Sequence, residues 1–351
     1  MPYPAPKVAV VCMVYNGTEY ISEFLLHHRM LADHVYMIDH NSTIDLRHLQ
    51  MDRLTVLRTN HEAQFQSEVT NATIEHFKIK ENFDWLFVLD IDEFLPFTTR
   101  TDFHAFLNAH KNDRVVQFYW RNGVPFYDET SGLPDSLINC TSIRFFHKPS
   151  VNFKSGVNIR RTRGCFFVPT GAHHINEILP AWSRYLPFAK KYKIYTPHIT
   201  DKPLYHVVAF NKSAFLKKIK NYVEQMKYRE HIPGQGGWGV RDYPTELSGD
   251  QWLWYIANFR VSNPKKFFDM KPEYFIEEHI FAHLNAAEVI ALRSQILSGP
   301  QTDKKPVDAA EKAYLANKKD DRDVMENIRW FKINPDHEII TVIPSGYAAN
   351  D

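Results

Sequence analysis

Three short runs of apolar, largely β-branched residues, each followed by polar ones, constrain this chain more than any other feature. Lys7–Val14 reads KVAVVCMV, His34–Ile38 reads HVYMI and Asp84–Leu89 reads DWLFVL. An unbroken apolar run of this length fits a strand buried on both faces, as in a parallel sheet. Between the first two, Glu19–Leu31 sets Ile21, Phe24, Leu25, Met30 and Leu31 at helical spacing. Leu54–Leu57 reads as a third strand and Ser67–Lys80 as a second helix. Strand, helix, strand, helix, strand predicts βαβ units. Open sheets of this kind bind ligands outside the carboxyl ends of their strands. Polar residues gather there: Asn16-Gly17-Thr18-Glu19, Asp39-His40-Asn41-Ser42-Thr43 and Asp90-Ile91-Asp92-Glu93.

Beyond about Val115 the pattern changes. Val115–Trp120 and Ser142–His147 read as strands of a mixed sheet, and Asn211–Tyr228 as a lysine-rich helix. From about Ser248 the chain reads mostly helical, ending in a short strand over Glu338–Ile343. The expected fold class is α/β, a mostly parallel central sheet flanked by helices, with a mainly helical C-terminal part. Two regions are expected: 1–210 as the ligand-binding and catalytic core, and 211–351 as an acceptor side, lid or interface.

Composition removes several function classes. Lys and Arg total 42 against 41 Asp and Glu, a balance unlike the strong basic excess of nucleic-acid binders. Cys12, Cys140 and Cys165 are widely spaced and odd in number, so neither a cysteine zinc site nor a disulfide framework is expected. Met1–Lys7 has no signal-peptide pattern, and no apolar run reaches the ~18 residues of a membrane span. A cytoplasmic location is expected, including one peripheral to a membrane. Gly234–Gly239 (GQGGWG) lacks the Gly-Lys-Ser/Thr ending of a phosphate loop and follows no apolar strand. It reads as a lid.

Asp90, Asp92 and Glu93 carry the chemistry. On an extended segment, residues i and i+2 point to one side, so Asp90 and Asp92 could face one ligand. Three acids this close repel unless a cation neutralises them, and Mg²⁺ or Mn²⁺ bridging carboxylates to a diphosphate would do so. The blander alternative is a solvated acidic turn. The flanking runs Trp85–Leu89 and Phe94-Leu95 argue for a buried segment instead. His27-His28 read as packed residues. His173-His174 read as structural or as substrate contacts.

The order of these motifs resembles the GT-A glycosyltransferases, in pattern the family-2-like group (family 2 and family 92 type). The resemblance runs through Val14-Tyr15-Asn16, Phe24–His28, Val35–Thr43, Trp85–Leu95 and Tyr205–Lys218, so it covers roughly residues 7–220. It implies a nucleotide-diphosphate sugar donor, with UDP as the expected nucleotide, and Mn²⁺ or Mg²⁺ as cofactor. It implies transfer to a glycan or lipid-linked saccharide hydroxyl, as in polysaccharide biosynthesis. Tyr15 and Asn16 would lie beside the base, and Asp39 would contact base or ribose. Gln66 and Asn71 would contact the donor. Asp92 would ligate the metal directly, Asp90 would lie towards ribose and metal, and His206 would be a late third ligand. Lys212 or Lys218 would neutralise the departing diphosphate. Inversion is the preferred stereochemistry, with Glu177 or Asp242 as general base. The chain departs from the pattern at Gly17, where an acid is usual, and at Val207, where tyrosine is usual. The alternatives are a nucleotidyltransferase, which lacks its usual Gly-rich basic loop here, and an inactive glycan-binding scaffold.

Overall fold

Each apolar run becomes a strand whose alternate residues enter two different cores. The computed structural model describes residues 5–59, 61, 65–126, 137–140, 142–146, 152–178, 192–226, 275–303, 309–317, 328–334 and 339–342. The first half contains β1 (Val8–Val14), α1 (Ile21–Leu31), β2 (His34–His40), β3 (Leu54–Thr59), α2 (Gln66–His76), α3 (Ile79–Asn82) and β4 (Trp85–Asp90). Then follow β5 (Glu93–Phe94), α4 (Arg100–Ala109), β6 (Val115–Phe126), β7 (Ser142–Phe146), β8 (Phe153–Asn158) and α5 (Ile159–Thr162). The short strands β9 (Phe166–Phe167), β10 (Asn176–Ile178), β11 (Tyr192–Ile194), β12 (His198–Ile199) and β13 (Leu204–Val207) lead to α6 (Lys212–Met226). The remainder is β14 (Phe275–Glu278), α7 (Ala286–Leu297), α8 (Ala309–Asn317), β15 (Phe331–Asn334) and β16 (Ile339–Val342).

Val8, Val10, Cys12 and Val14 of β1 pack with Phe24 of α1, Phe103 of α4 and Leu292 of α7. Ala9 and Val11 face the other way, onto Val69 of α2 and Tyr314 of α8. Strands β2 and β4 repeat the alternation, with Met37 and Phe87 in the first core and Ile38 and Val88 in the second. Burial on both faces is why these segments show no polar alternation. Each fully buried leucine or phenylalanine contributes roughly 1.5–3 kcal/mol relative to exposure.

The main sheet runs β14-β7-β6-β8-β4-β1-β2-β3-β16-β15. Its centre, β4-β1-β2-β3-β16, is parallel, and β8 enters antiparallel to both β4 and β6. The chain builds outward from β1 through β2 to β3, then returns to place β4 on the other side of β1. The strand order therefore reverses between β1 and β4, the position where open sheets leave a crevice at their carboxyl ends.

Two expectations are corrected. The helix read over Ser67–Lys80 is two helices, because Lys78 is left-handed (φ +49°) and the turn drops Ile79 into the second core. The described part of the C-terminal region is mainly helical, but it also lends strands to the main sheet: β14 pairs with β7 and β16 with β3. Ile280, Leu292, Tyr314, Phe331 and Ile340 fill the same two cores as the first half. Residue 210 therefore does not separate two cores among the described residues. Gly234–Gly239 and the aromatic run around Trp252 and Trp254 lie outside them.

His27 and His28 are packed. The His27 Nε2 atom is 2.9 Å from the Leu95 carbonyl and its Nδ1 is 3.0 Å from His283 Nε2. His28 Nδ1 is 3.0 Å from the Phe24 carbonyl. Burial pulls His28 down to about 3, whereas an unfolded histidine titrates near 6.5. Below pH 6.5 the unfolded chain takes up a proton that folded His28 refuses, so this group's stabilisation falls as pH falls from 6.5 towards 3. A His28→Leu chain is expected to lose stability at pH 7.5. Its deficit should then shrink by about 1.4 kcal/mol per pH unit below 6.5. Urea unfolding of both chains between pH 7.5 and 5 measures this, and a pH-independent deficit would contradict it.

Candidate functional site

The reversal point between β1 and β4 carries a compact charged group drawn from five strands and two helices. Asp90 is the last residue of β4. Its Oδ2 accepts from Lys154 Nζ at 2.7 Å and its Oδ1 from Gln66 Nε2 at 3.0 Å, while its backbone N–H donates to Glu93 Oε2 at 2.7 Å. Lys154, on β8, also lies 3.2 Å from Glu93 Oε2 and is 1% exposed. Burial alone would lower the Lys154 ammonium, but Asp90 and Glu93 outweigh it and hold it above the ordinary lysine range. Burial pushes Glu93 well above the usual carboxylate range, with Asp90 and Asp92 adding to it and Lys154 opposing.

The chain turns after Asp90, so Asp92 meets different partners. The two-residue strand β5 pairs antiparallel with β13, setting His206 opposite Glu93, and Val207 N–H donates to the Asp92 carbonyl at 2.9 Å. Asp92 Oδ2 accepts from Lys218 Nζ of α6 and lies 3.5 Å from His206 Nε2. Lys218 also donates to the Val208 carbonyl at 3.1 Å. Burial would raise Asp92, but Lys218 and His206 outweigh it and hold its carboxyl well below the usual range. His206 Nδ1 is 2.8 Å from Asn122 Oδ1, its register neighbour on β6. Burial lowers the imidazole against the pull of Asp92.

The sequence argument that three neighbouring acids require a divalent cation is corrected, because Lys154 and Lys218 supply two positive charges and burial moves Glu93 towards its neutral form. The expectation that Asp90 and Asp92 face one ligand together is also corrected. Asp90 turns to Lys154 and Gln66, and Asp92 to Lys218 and His206. Among the described residues, the group of histidine and acid side chains whose ligand atoms converge is His110, Asp113 and His198, not Asp90, Asp92 and His206. The two donors a divalent cation would meet here are the Asp92 carboxylate and His206 Nε2, 3.5 Å apart, with Asn122 holding the ring as outer partners of ligating histidines do.

The other predicted residues divide. Asn16, left-handed at φ +50°, closes the β1 end onto the β2 loop. Its N–H donates to Ser42 Oγ at 3.0 Å and its Oδ1 accepts from Thr43 N at 2.7 Å. Tyr15 stands beside His40, ring centroids 5.9 Å apart. Gln66 ties Asp90 to the following loop by accepting from Gly171 N at 3.0 Å. Lys212 lies six residues before Lys218, about 9 Å along the helix and ~120° around it, so the structure brings Lys218 and not Lys212 to Asp92.

Asp39 is 0% exposed, with one oxygen on Ser42 N and the other on Leu46 N and the Arg58 guanidinium. It organises the β2 loop and has no oxygen left for a base. Asn71 is spent likewise, its amide clamping Val168 N–H and carbonyl at 3.0 and 2.7 Å. Glu177 sits on β10 beside Tyr195, whose hydroxyl is pushed up to about 12 by burial and by that carboxylate. Arg114 covers the same ring, and its neighbour Val115 is level, through Val157, with Leu86 near the amino end of β4. The structure does not bring Glu177 to Asp92. Asp242 lies outside the described residues.

Four residues escaped the sequence reading. Lys154 and Asn122 sit in strands with no local mark of function. Asn41, left-handed at φ +53° beside Asp39, is buried with both amide atoms lacking a hydrogen-bond partner. Glu19, raised by burial, lies in the field of Lys217, Arg293 and Lys218. Only Asn41 and Glu19 had a signal, their place in the polar strand ends.

No family model and no curated protein matches this chain. Among solved structures that match is the 4-diphosphocytidyl-2C-methyl-D-erythritol synthase of Anaerococcus prevotii. It is 10% identical, covering 46% of this chain and 74% of that one, with a TM-score of 0.27. A likeness at that level carries no argument about activity. No helix among the described residues is long and apolar enough to cross a membrane.

Proposed function

We propose that this chain is a GT-A-type glycosyltransferase that takes a sugar from a nucleotide diphosphate, with UDP as the expected nucleotide, and passes it to a glycan or lipid-linked saccharide hydroxyl. The observation that carries the reading is the charged group at the β1–β4 reversal point, where Asp92 holds Lys218 and His206 together. Lys218 is 44% exposed, so its ammonium can face a ligand while anchored to Asp92 and the Val208 carbonyl. Negative charge grows on the departing diphosphate during glycosyl transfer, and a fixed cation aimed at it lowers the barrier. Asn41 fits the recognition role better than Asp39, whose oxygens are already bonded, since its amide holds a donor and an acceptor without a partner. Asp92 and His206 Nε2 would hold a divalent ion, which when bound supplies Lewis-acid stabilisation of the leaving group. Lys154 holds Asp90 in place against Gln66, which in turn holds the Gly171 loop at the edge of the crevice.

Thermal stabilisation by a panel of nucleoside diphosphates, with and without Mn²⁺, tests this. At a hundredfold excess over Kd a ligand selective for the folded state adds about 2.7 kcal/mol. Stabilisation by one diphosphate supports the reading, and Mn²⁺ dependence that is lost in Asp92→Ala assigns the ion to Asp92 and His206. Stabilisation by triphosphates alone would favour a nucleotidyltransferase. No response from folded protein would leave a scaffold.

A further inference from the structure

We propose that His110, Asp113 and His198 form a zinc site that fastens the short strand β12 to the end of α4. His110 ends α4 as its C-terminal cap, and a turn closed by Asp113 N–H on the His110 carbonyl at 2.9 Å brings Asp113 back beneath it. His198 arrives from far along the chain because β12 pairs in parallel with β6, setting His198 level with Val116. The three side chains then meet. His110 Nδ1 is 2.9 Å and His198 Nδ1 is 3.7 Å from the same oxygen, Asp113 Oδ2, and the two imidazole rings lie 4.5 Å apart between centroids.

The geometry and the chemistry of the donors point to zinc. Ligands at 2.0–2.1 Å around a tetrahedral ion are about 3.3 Å from one another, and the two observed separations bracket that value. An ion pair at the end of a helix accounts for His110 and Asp113. It does not account for the second imidazole turned onto the same oxygen from another strand. Two imidazoles with one carboxylate suit Zn²⁺ and not the all-oxygen shells of Mg²⁺ or Ca²⁺. His198 is 48% exposed, so water can complete the shell. The site stands apart from the Asp92 group. Val115, two residues after Asp113, is level with Leu86, and Asp90 lies about 13 Å further along β4. Its role is therefore to staple an edge strand.

The test uses tag-free full-length protein stripped with a chelator and titrated with Zn²⁺ by calorimetry. Co²⁺ absorption serves as a probe of tetrahedral coordination. A saturable zinc site is expected, with a rise in thermal midpoint on zinc addition. His198→Ala and Asp113→Asn should each weaken binding by at least about tenfold and abolish the rise. His76→Ala, at an exposed histidine on α2, should bind as the native chain does. Absence of saturable binding overturns the proposal. So does affinity unchanged in His198→Ala and Asp113→Asn, both verified as folded by circular dichroism.

Discussion

Replacing Lys154 with methionine is expected to cost about 3 kcal/mol of stability or more, the largest effect of any single exchange around the site. Methionine keeps the length and apolar stem of lysine, so little packing is lost. What disappears is the charge that lies 2.7 Å from Asp90 and 3.2 Å from Glu93 in a place 1% exposed to solvent. Removing one partner of a buried ion pair leaves the other desolvated and uncompensated, whereas an exposed pair is worth only ~0–1 kcal/mol. Glu93 has the poorer alternative, because it is fully buried and its Oε1 has no hydrogen-bond partner. Adding Glu93→Gln to Lys154→Met should therefore recover part of the loss, although Asp90 stays unpaired. Equilibrium urea unfolding of the two single variants and the double variant gives the coupling directly. A loss below about 1 kcal/mol for Lys154→Met would mean that water reaches this pair as it reaches a surface salt bridge.

Asp92→Ala is expected to cost stability too, since Lys218 and His206 hold its carboxyl well below the usual range, but its larger effect is a loss of turnover. Its partner Lys218 is 44% exposed and can solvate its ammonium when the carboxylate is gone. His206 is already lowered towards its neutral form by burial, so no buried charge is stranded. The function of Asp92 is to hold Lys218 and His206 in register with the crevice. Removing one such electrostatic group from a transfer site lowers kcat by about 10²–10³-fold. Lys218→Met should lose turnover while keeping His206 and Asp92 in place, which separates the ammonium's contribution from that of the pair. Rates with the donor nucleotide found in the binding panel, together with urea midpoints, provide both readings. A variant as active as the native chain would remove Asp92 from the reaction.

The two exchanges show how unevenly this site could be read from the sequence. Asp90 and Asp92 are conspicuous because they follow a run of five apolar residues. Lys154 is not, although it is the cation paired with Asp90 and Glu93. Phe153–Asn158 has neither a cluster of charge nor a turn, and only the antiparallel pairing of β8 with β4 carries its lysine to the acids. Asn122 is hidden for the same reason, since it gains a role only when β6 and β13 run side by side. Asp39 was misread in the other direction. A polar residue ending a strand resembles a ligand contact, but Arg58, whose position beside it comes from the β2–β3 register, takes its carboxylate inward.

By itself the sequence determined the central strands, their burial on both faces and the polar ends at which β1, β2 and β4 stop. Those properties depend on residues within about ten positions of one another, through apolar runs and helical spacing. Tertiary structure alone decided which of the three acids keep their charge, which residues after 210 complete the sheet, and that His198 meets His110 and Asp113. Each depends on strand register between distant segments. The physical reason is that a buried charge is governed by whichever side chain stands within about 4 Å of it, and that neighbour is chosen by sheet pairing across tens to hundreds of residues.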